Sequence, residues 1–482
     1  MTLPCKQTLE RELKLSVKRN FILPPLPGKP LPPRLLLSIY YDTGDYRLAK
    51  AGITLRRRIE ARKGVWQLKI PRDAARLELE FAGGRLSPPE SLTKLLFAHL
   101  RGLPLQQIAR LRTRRRGMQM VGAEGPLADV VVDSVTALSG RRVVQHLYEL
   151  EVELTGGSEK DLLQIEQVLR EAGAQEGDHR PKVFQVLGLE LPVSPAPAPP
   201  EAPPVEQLKA MLQIEVQQLL AHDPGTRLGT DQEDLHRMRV ATRRLRAYLK
   251  AAQPMLVPDW TDNIRTELAW LGNTLGLVRD LDVLLGYLDQ ECATLDLPER
   301  QAFGRVLSLL LGERAEARAV LLQGLESDRY LALLDLAEAA AQSPAVADAT
   351  VSLMDIARVE YKKLRRAMLE SGPEAEDKVL HQIRIRAKRA RYAAELAESS
   401  AGKPATRFIR QCMTLQDLLG EHQDAVVSEQ RLRKLLGQIS GSLAALSLGR
   451  LIERQCERRR KVRTALPKAW AKLQKRAEKA WG

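Results

Sequence analysis

Hydrophobic and polar positions change rhythm once along this chain. Over residues 1–191 they repeatedly alternate with period two, the spacing that sends successive side chains to opposite faces of a strand. The runs lie at about 7–18, 36–42, 52–60, 64–70, 75–82, 110–121, 127–134 and 145–154, with helical stretches near 90–100 and 158–172. Beyond residue 205 period two disappears, and long Leu/Ala/Arg/Glu-rich segments read as amphipathic helices. Turn signals at Asp223-Pro-Gly, Gln253-Pro, Ser343-Pro and Ser371-Gly-Pro are expected to break them. Between the halves, residues 192–204 hold seven prolines in thirteen positions, which neither continue a helix nor donate to a sheet. That segment reads as an extended spacer. The pattern predicts an α+β N-terminal domain at 1–191 and an all-α helical bundle at 205–482.

The helical half repeats itself. His236-x-x-Arg239-x-x-x-Arg243-Arg244-x-Arg246 recurs as His381-x-x-Arg384-x-x-x-Lys388-Arg389-x-Arg391. Downstream, Leu275-Gly276-x-x-x-Asp280 recurs as Leu419-Gly420-x-x-x-Asp424, so the two motifs return in the same order at offsets of 145 and 144 residues. Two related units, about 205–340 and 350–482, packed as a pseudo-symmetric bundle, are the simplest account. At 100° per residue, positions 0, +3, +7 and +10 fall in one sector of a helix, so each motif presents a basic stripe headed by a histidine. No His/Cys/Glu cluster at ligand spacing accompanies His236 or His381, which favours packing or phosphate bonding over a metal. Asp280 and Asp424 read as residues that orient a neighbouring Arg or His.

In the strand half, charge itself alternates. Glu10, Glu12 and Lys14 share one face, as do Arg56 and Arg58, and Arg76, Glu78 and Glu80. Arg112, Arg114 and Arg116 form another such set, and Glu149, Glu151 and Glu153 a further one opposite Tyr148, Leu150, Val152 and Leu154. A closed barrel with a charged lumen and an apolar exterior under helices explains both faces. Carboxylates inside suit hard divalent cations, and guanidinium and ammonium groups suit phosphate oxygens. Together they make a site for a metal–polyphosphate complex.

Composition narrows the classes. The 482 residues carry 75 Lys+Arg against 60 Asp+Glu, a formal charge of +15 that points to polyanionic partners. Residues 431–482 alone hold fifteen Lys/Arg and three Glu. Hydrophobic residues at 44% exclude wholesale disorder, and aromatics at only 4% argue against base-stacking recognition of single strands. Cys5, Cys292, Cys412 and Cys456 are too scattered for a disulfide framework or a zinc site. No apolar run approaches membrane-spanning length and the N-terminus lacks a secretory core, so the cytoplasm is the expected compartment, with polyphosphate granules a place of association.

These residues resemble two known families. Glu10-x-Glu-x-Lys14 is similar to the E-x-E-x-K signature of the CYTH superfamily, the triphosphate tunnel metalloenzymes. Tyr40-Tyr-Asp-Thr through Leu55-Arg-Arg-Arg58, Val65-Trp-Gln-Leu-Lys69 and Glu149-x-Glu-x-Glu153 resemble its later segments in order. The resemblance implies an eight-stranded antiparallel tunnel acting on triphosphates with Mg²⁺ or Mn²⁺. It assigns phosphate binding to Lys14, Arg56, Arg58, Lys69, Arg112, Arg114 and Lys182. It assigns metal or water to Glu10, Glu12, Glu149, Glu151 and Glu153, with no way to say which Glu assists the water. Two departures stand out: residues 22–34 form a proline-rich stretch where the family places a first helix, and Gln67 replaces an expected Thr.

The second half resembles a CHAD domain, which implies a helical bundle binding inorganic polyphosphate through His236, Arg239, Arg243, Arg244, Arg246, His381, Arg384, Lys388, Arg389 and Arg391. The combined expectation is an inorganic triphosphatase with a polyphosphate-binding module, nucleic acid being disfavoured as partner. The alternatives are thiamine triphosphate hydrolysis, cyclisation of ATP, or a non-catalytic binder of polyphosphate or nucleic acid. A pure binder has no use for so many carboxylates alternating into one site.

Overall fold

The computed structural model describes residues 5–72, 75–84, 86–122, 125–294, 296–372, 374–438 and 441–481. The chain divides into two compact units, Met1–Val193 and Ser194–Gly482. The first contains β1 (Cys5–Glu10), β2 (Glu12–Ser16), β3 (Gly28–Asp42), α1 (Arg47–Lys50), β4 (Thr54–Glu60), β5 (Lys63–Arg72), β6 (Ala75–Phe81), α2 (Glu90–Leu95) and α3 (Phe97–Leu100). It continues with β7 (Gln106–Gly122), β8 (Gly125–Ser139), β9 (Arg142–Leu154), α4 (Glu159–Glu171), β10 (Gln175–Glu176) and α5 (Lys182–Leu187).

The strands form one antiparallel sheet in the order β1-β6-β5-β4-β3-β7-β8-β9-β2-β10. It has ten strands where eight were expected, and the difference is local. β1 and β2 are one run interrupted at Arg11; β1 pairs with β6 and β2 with β9, so the sheet's two ends meet in a single segment and close a barrel. β10 adds only two residues beside β2. Closure removes exposed edges. β3 starts at Gly28, so residues 28–34, expected to be irregular, belong to a strand. A register shift between Leu31 and Arg34 skips Pro32 and Pro33, which have no N–H to give the ladder.

Alternation then builds two cores. On the outer face Leu15, Val130, Leu150 and Val152 pack under Ile165 and Leu169 of α4, whose start is fixed by a reciprocal Ser158–Asp161 capping box. On the inner face, at one end, Tyr40, Leu111 and Val135 receive Val183 and Phe184 of α5, which fills that end of the barrel.

The second unit is helical: α6 (Pro204–Leu228), α7 (Gln232–Ala251), a 3₁₀ turn (Gln253–Met255), α8 (Pro258–Cys292), α9 (Leu297–Leu325), α10 (Asp328–Gln342), α11 (Leu353–Glu370), α12 (Asp377–Leu396), α13 (Glu398–Leu436) and α14 (Ser442–Trp481). The break expected at Asp223-Pro-Gly does not occur, and α6 runs through it to Leu228. Buried contacts secure that turn: Asp223 accepts from Arg227 at 2.7 Å and from the Tyr330 hydroxyl at 2.8 Å. α13 is instead bent at Gly402 (φ 62°), a conformation that favours glycine, two residues before Pro404. The repeat is plain in the order of elements. α7 and α12 carry the histidine stripes and α8 and α13 the Leu-Gly-x-x-x-Asp motifs. α7 and α12 pack on each other, with Tyr248 edge-on to Tyr392 at 5.8 Å.

Candidate functional site

Strand register decides which side chains enter the barrel. Opposite pairs Lys14–Glu151, Glu12–Glu153, Tyr40–Arg56, Ser38–Arg58, Gln67–Glu80 and Lys69–Glu78 lie on one continuous inner face. Glu10 stands opposite Arg76 in the register, but its side chain lies outside the described residues. The inner face thus gathers Glu12, Lys14, Arg56, Arg58, Lys69, Glu149, Glu151 and Glu153, together with Lys182 at the start of α5.

Arg112 and Arg114 do not join them. Both are exposed on the outer face of β7, and their neighbour Arg115 points inward opposite Asp133. The alternating set Arg112, Arg114, Arg116 shares a face as expected, but it is the opposite face. The inward set runs Ala109, Leu111, Thr113, Arg115, because the barrel's plugged end is apolar. Sequence reasoning also missed Asp133 and Arg34. A lone acid within Val130-Val-Val-Asp-Ser134 was the available signal for the first, and nothing marked Arg34 until β3 was seen to extend back to Gly28.

These groups form a tight network. Arg115 donates to both Asp133 oxygens, at 2.9 and 2.7 Å, and to Glu151 at 2.6 Å. Lys182 sits 3.0 Å from Glu151, 3.4 Å from Glu149, and in contact with fully buried Asp133. Burial opposes ionisation of Glu151, but Lys182, Arg115 and Lys14 together hold it well below the usual carboxylate range. Burial pushes Glu149 up despite Lys182, and pushes Glu153 up despite Lys69 and Arg115. One oxygen of Glu149, Oε2, is buried without a hydrogen bond. On the other wall, burial and then the charges of Arg56 and Arg34 depress Arg58. Arg56 donates to Gln67 at 2.8 Å, and Gln67 donates to Glu80 at 2.6 Å, so Gln67 links a cation to a carboxylate. The lumen therefore holds a well-paired centre, Glu151 with Arg115 and Lys182, flanked by Arg58, Glu149 and Glu153, whose charged forms burial leaves poorly stabilised.

The donor set suits a hard divalent ion, since its anionic ligands are all carboxylates, joined by neutral oxygens such as those of Ser38, Tyr40 and Gln67. Among the described residues no three Asp, Glu, His or Cys converge into a group able to hold a metal by themselves.

In the helical unit the two stripes face a common space. Lys388 is pushed down to about 7, first by burial and then by the charges of Arg384, Arg243, Arg391 and Arg239, drawn from both repeats. Arg384 is depressed by burial and by Arg243 and Arg239, although Asp424 favours its charge. The Gly of each Leu-Gly motif lets an arginine lie across the neighbouring helix. A Cβ at Gly276 would stand 3.4 Å from Arg239 Nη2, and one at Gly420 would stand 3.3 Å from Arg384 Nη2. Arg239 is paired with Asp280 at 3.1 Å, the orienting role expected of that residue.

The remaining stripe residues scatter. Arg244 turns inward between buried Glu215, at 2.9 Å, and buried Glu395, at 3.3 Å. Arg391 also pairs with Glu395, at 3.2 Å, and Tyr248 donates to it at 2.7 Å. Arg244 is thus a tie between the repeats and not part of the open stripe. Arg246 lies beside Arg265, and Arg389 is exposed, its charge felt at Lys250. His236 is half-buried and pushed down by burial and Arg279. His381 lines a cavity of about 750 Å³ with Asp377, Gln423 and Arg463, its Nδ1 buried without a hydrogen bond.

A closed antiparallel barrel with a charged lumen, followed along the chain by a duplicated helical bundle with converging basic stripes, defines a class. The CYTH domain model matches residues 8–184 and the CHAD domain model matches residues 210–433. The chain belongs to the family of proteins that carry a CYTH domain followed by a CHAD domain. It is 31% identical to the Mycobacterium tuberculosis proteins MT2285 (strain CDC 1551 / Oshkosh) and Rv2226 (strain ATCC 25618 / H37Rv), in each case over 98% of both chains. Among solved structures, PptA from Streptomyces chartreusis is 23% identical, covering 56% of this chain and 100% of its own, with a TM-score of 0.47. The CHAD domain from the plant Ricinus communis is 24% identical, covering 58% and 94%, also with a TM-score of 0.47. CYTH domains carry out metal-dependent triphosphate chemistry, as triphosphatases or cyclases, and CHAD domains are linked to polyphosphate binding. No helix among the described residues is long and apolar enough to cross a membrane.

Proposed function

We propose that the barrel hydrolyses inorganic triphosphate with Mg²⁺ or Mn²⁺ and that the helical unit binds inorganic polyphosphate along its two stripes. The observation that carries the first part is the unbalanced lumen: Arg58 is depressed by burial and by Arg56 and Arg34, while Glu149 and Glu153 are pushed up by burial. A polyanion would relieve the first group and a cation the second. A metal–triphosphate complex supplies both at once.

Glu12 and Glu153, which stand opposite each other, would hold the cation, and the remaining ligands would come from phosphate oxygens and water, as is usual for Mg²⁺. A bound divalent ion neutralises the phosphate chain and favours in-line attack at the terminal phosphorus. Lys14, Arg56, Arg58 and Lys69 would grip the chain, joined by Arg115 and Lys182 as substrate competes for their carboxylate partners. Glu149 is suited to take a proton from the attacking water, because burial raises its affinity for protons and its Oε2, which makes no hydrogen bond, is held only by the Lys182 ion pair at 3.4 Å.

In the helical unit the depressed Lys388 carries the assignment: cations held this close with few acids between them call for an anion of repeating charge. The test is phosphate release from inorganic triphosphate by the full chain with Mg²⁺ or Mn²⁺, beside Glu149→Gln. Metal-dependent release that the substitution removes is expected. Pyrophosphate and a cyclic nucleotide from ATP, with triphosphate untouched, would establish cyclase chemistry instead.

A further inference from the structure

β7 carries a row of arginines that the tunnel does not use. Arg110, Arg112, Arg114 and Arg116 alternate along its outer face, and the last three are exposed. Side chains two residues apart on a strand stand about 6.8 Å apart, so the row is about 20 Å long. Arg57 on β4 extends it sideways, since Arg57 and Arg110 both stand opposite Ile39 of the intervening strand. The Nε atoms of Arg57 and Arg110 are buried without a hydrogen-bond partner. On this face the register from β4 through β3, β7 and β8 places apolar and hydroxyl side chains between the arginines, and no Asp or Glu. An ordinary solvated basic face mixes both signs; this one does not.

We infer that this arginine ladder is a second binding surface, on the outside of the barrel, for a chain of inorganic polyphosphate. The choice of occupant follows from the side chains. All five cations are arginines, whose planar fork pairs bidentately with phosphate oxygens, and none is lysine. Binding of single-stranded nucleic acid normally adds aromatic platforms, and the aromatics of this face are engaged elsewhere: Tyr148 packs into the cluster under α4, and Tyr41 packs against fully buried Trp66 at 5.0 Å. A flexible linear polyanion needs only regular charge along an extended path, which a strand supplies. The inference draws on the proposed function solely for the identity of the ligand.

The test uses the full chain with its helical stripes silenced by Arg239→Ala, Arg243→Ala, Arg384→Ala and Lys388→Ala. Long-chain inorganic polyphosphate is the probe, titrated across a salt series. This chain is expected to retain polyphosphate. Adding Arg112→Gln, Arg114→Gln and Arg116→Gln should weaken retention by roughly tenfold or more and flatten the slope of log affinity against log salt by about 2. Lysine at the same three positions should restore the slope but only part of the affinity, because charge returns without the fork. The inference is overturned if the silenced chain holds no polyphosphate, if the glutamine variant binds unchanged, or if single-stranded DNA or polyglutamate of equal charge competes as strongly. An unchanged melting temperature checks that the exposed substitutions leave the fold intact. Two separate readouts keep this apart from the proposed function: triphosphate turnover in the barrel, and polyphosphate binding by a chain altered only in the stripes.

Discussion

Arg58 and Arg114 are both strand arginines in period-two sets, yet the register gives them opposite fates. Arg58 lies in the lumen, depressed by burial and by Arg56 and Arg34 and paired only at long range with Glu60, at 3.9 Å, so a phosphate oxygen would meet a guanidinium whose charge is poorly compensated. Arg114 is exposed on the outer wall. A charge-assisted hydrogen bond is worth about 1.5–3 kcal/mol. Arg58→Ala should therefore raise the KM for triphosphate by on the order of ten- to a hundredfold, while Arg114→Ala leaves steady-state kinetics unchanged. Equal effects of the two would mean that the register is wrong. At Lys388 the free protein holds the amine down to about 7. Phosphate binding must raise it, so affinity is full below pH 7 and falls by up to about tenfold per unit as pH rises from there. Calorimetry in buffers of different ionisation enthalpy should register proton uptake near pH 8 that Lys388→Met abolishes.

Elements hold these residues in place, and two of their contacts make predictions. At Gly420 the close approach of Arg384 suits a residue without Cβ, although glycine costs helix stability. Gly420→Ala should gain up to about 1 kcal/mol in unfolding free energy and yet weaken polyphosphate binding a few-fold by displacing Arg384. Denaturant titration and binding, measured on the same variant, should thus move in opposite directions. On α6, where it meets Arg244 of α7, burial pushes Glu215 up to about 7 despite Arg244. Its folded value lies above its unfolded one, so the folded state binds more protons between about pH 4.5 and 7 and stability falls as pH rises through that window. Glu215→Gln should flatten the pH dependence of the melting temperature there; a curve identical to that of the native chain would remove Glu215 as its cause.

Across the whole molecule two kinds of charged surface stand on unlike scaffolds. The barrel mixes both signs of charge in a closed space, which suits a short anion carrying its own cation. The helical stripes are nearly all positive and open, which suits a long chain bound by charge alone. Chelation of divalent ions should therefore stop phosphate release from triphosphate and leave polyphosphate retention intact, whereas salt should weaken retention log-linearly. Loss of retention on chelation would mean that metal bridges, and not arginine contacts, hold the polymer.

Much of this was legible from periodicity. The change from period two to helical spacing located the two units, the repeat of His236 at His381 fixed the relation between α7 and α12, and alternation grouped Glu12 with Lys14, Arg56 with Arg58, and Glu149 with Glu151 and Glu153, while Lys69 came only from the family resemblance. Alternation fixes which residues share a face, because side-chain direction in a strand is local. It does not say which face closes inward, because that depends on the partners a strand finds across the sheet. Hence Arg112 and Arg114 were grouped correctly but assigned to the wrong side, and Asp133, Arg115 and Arg34 emerged only once β3, β7 and β8 were paired. The same holds for the helices. Spacing put Arg244 next to the stripe, but the packing of α7 on α6 and α12 turned it to Glu215 and Glu395, since a buried carboxylate claims the nearest guanidinium. Local geometry was the sequence's to determine, and long-range pairing, with the neutralisation it brings, was decided by the tertiary fold.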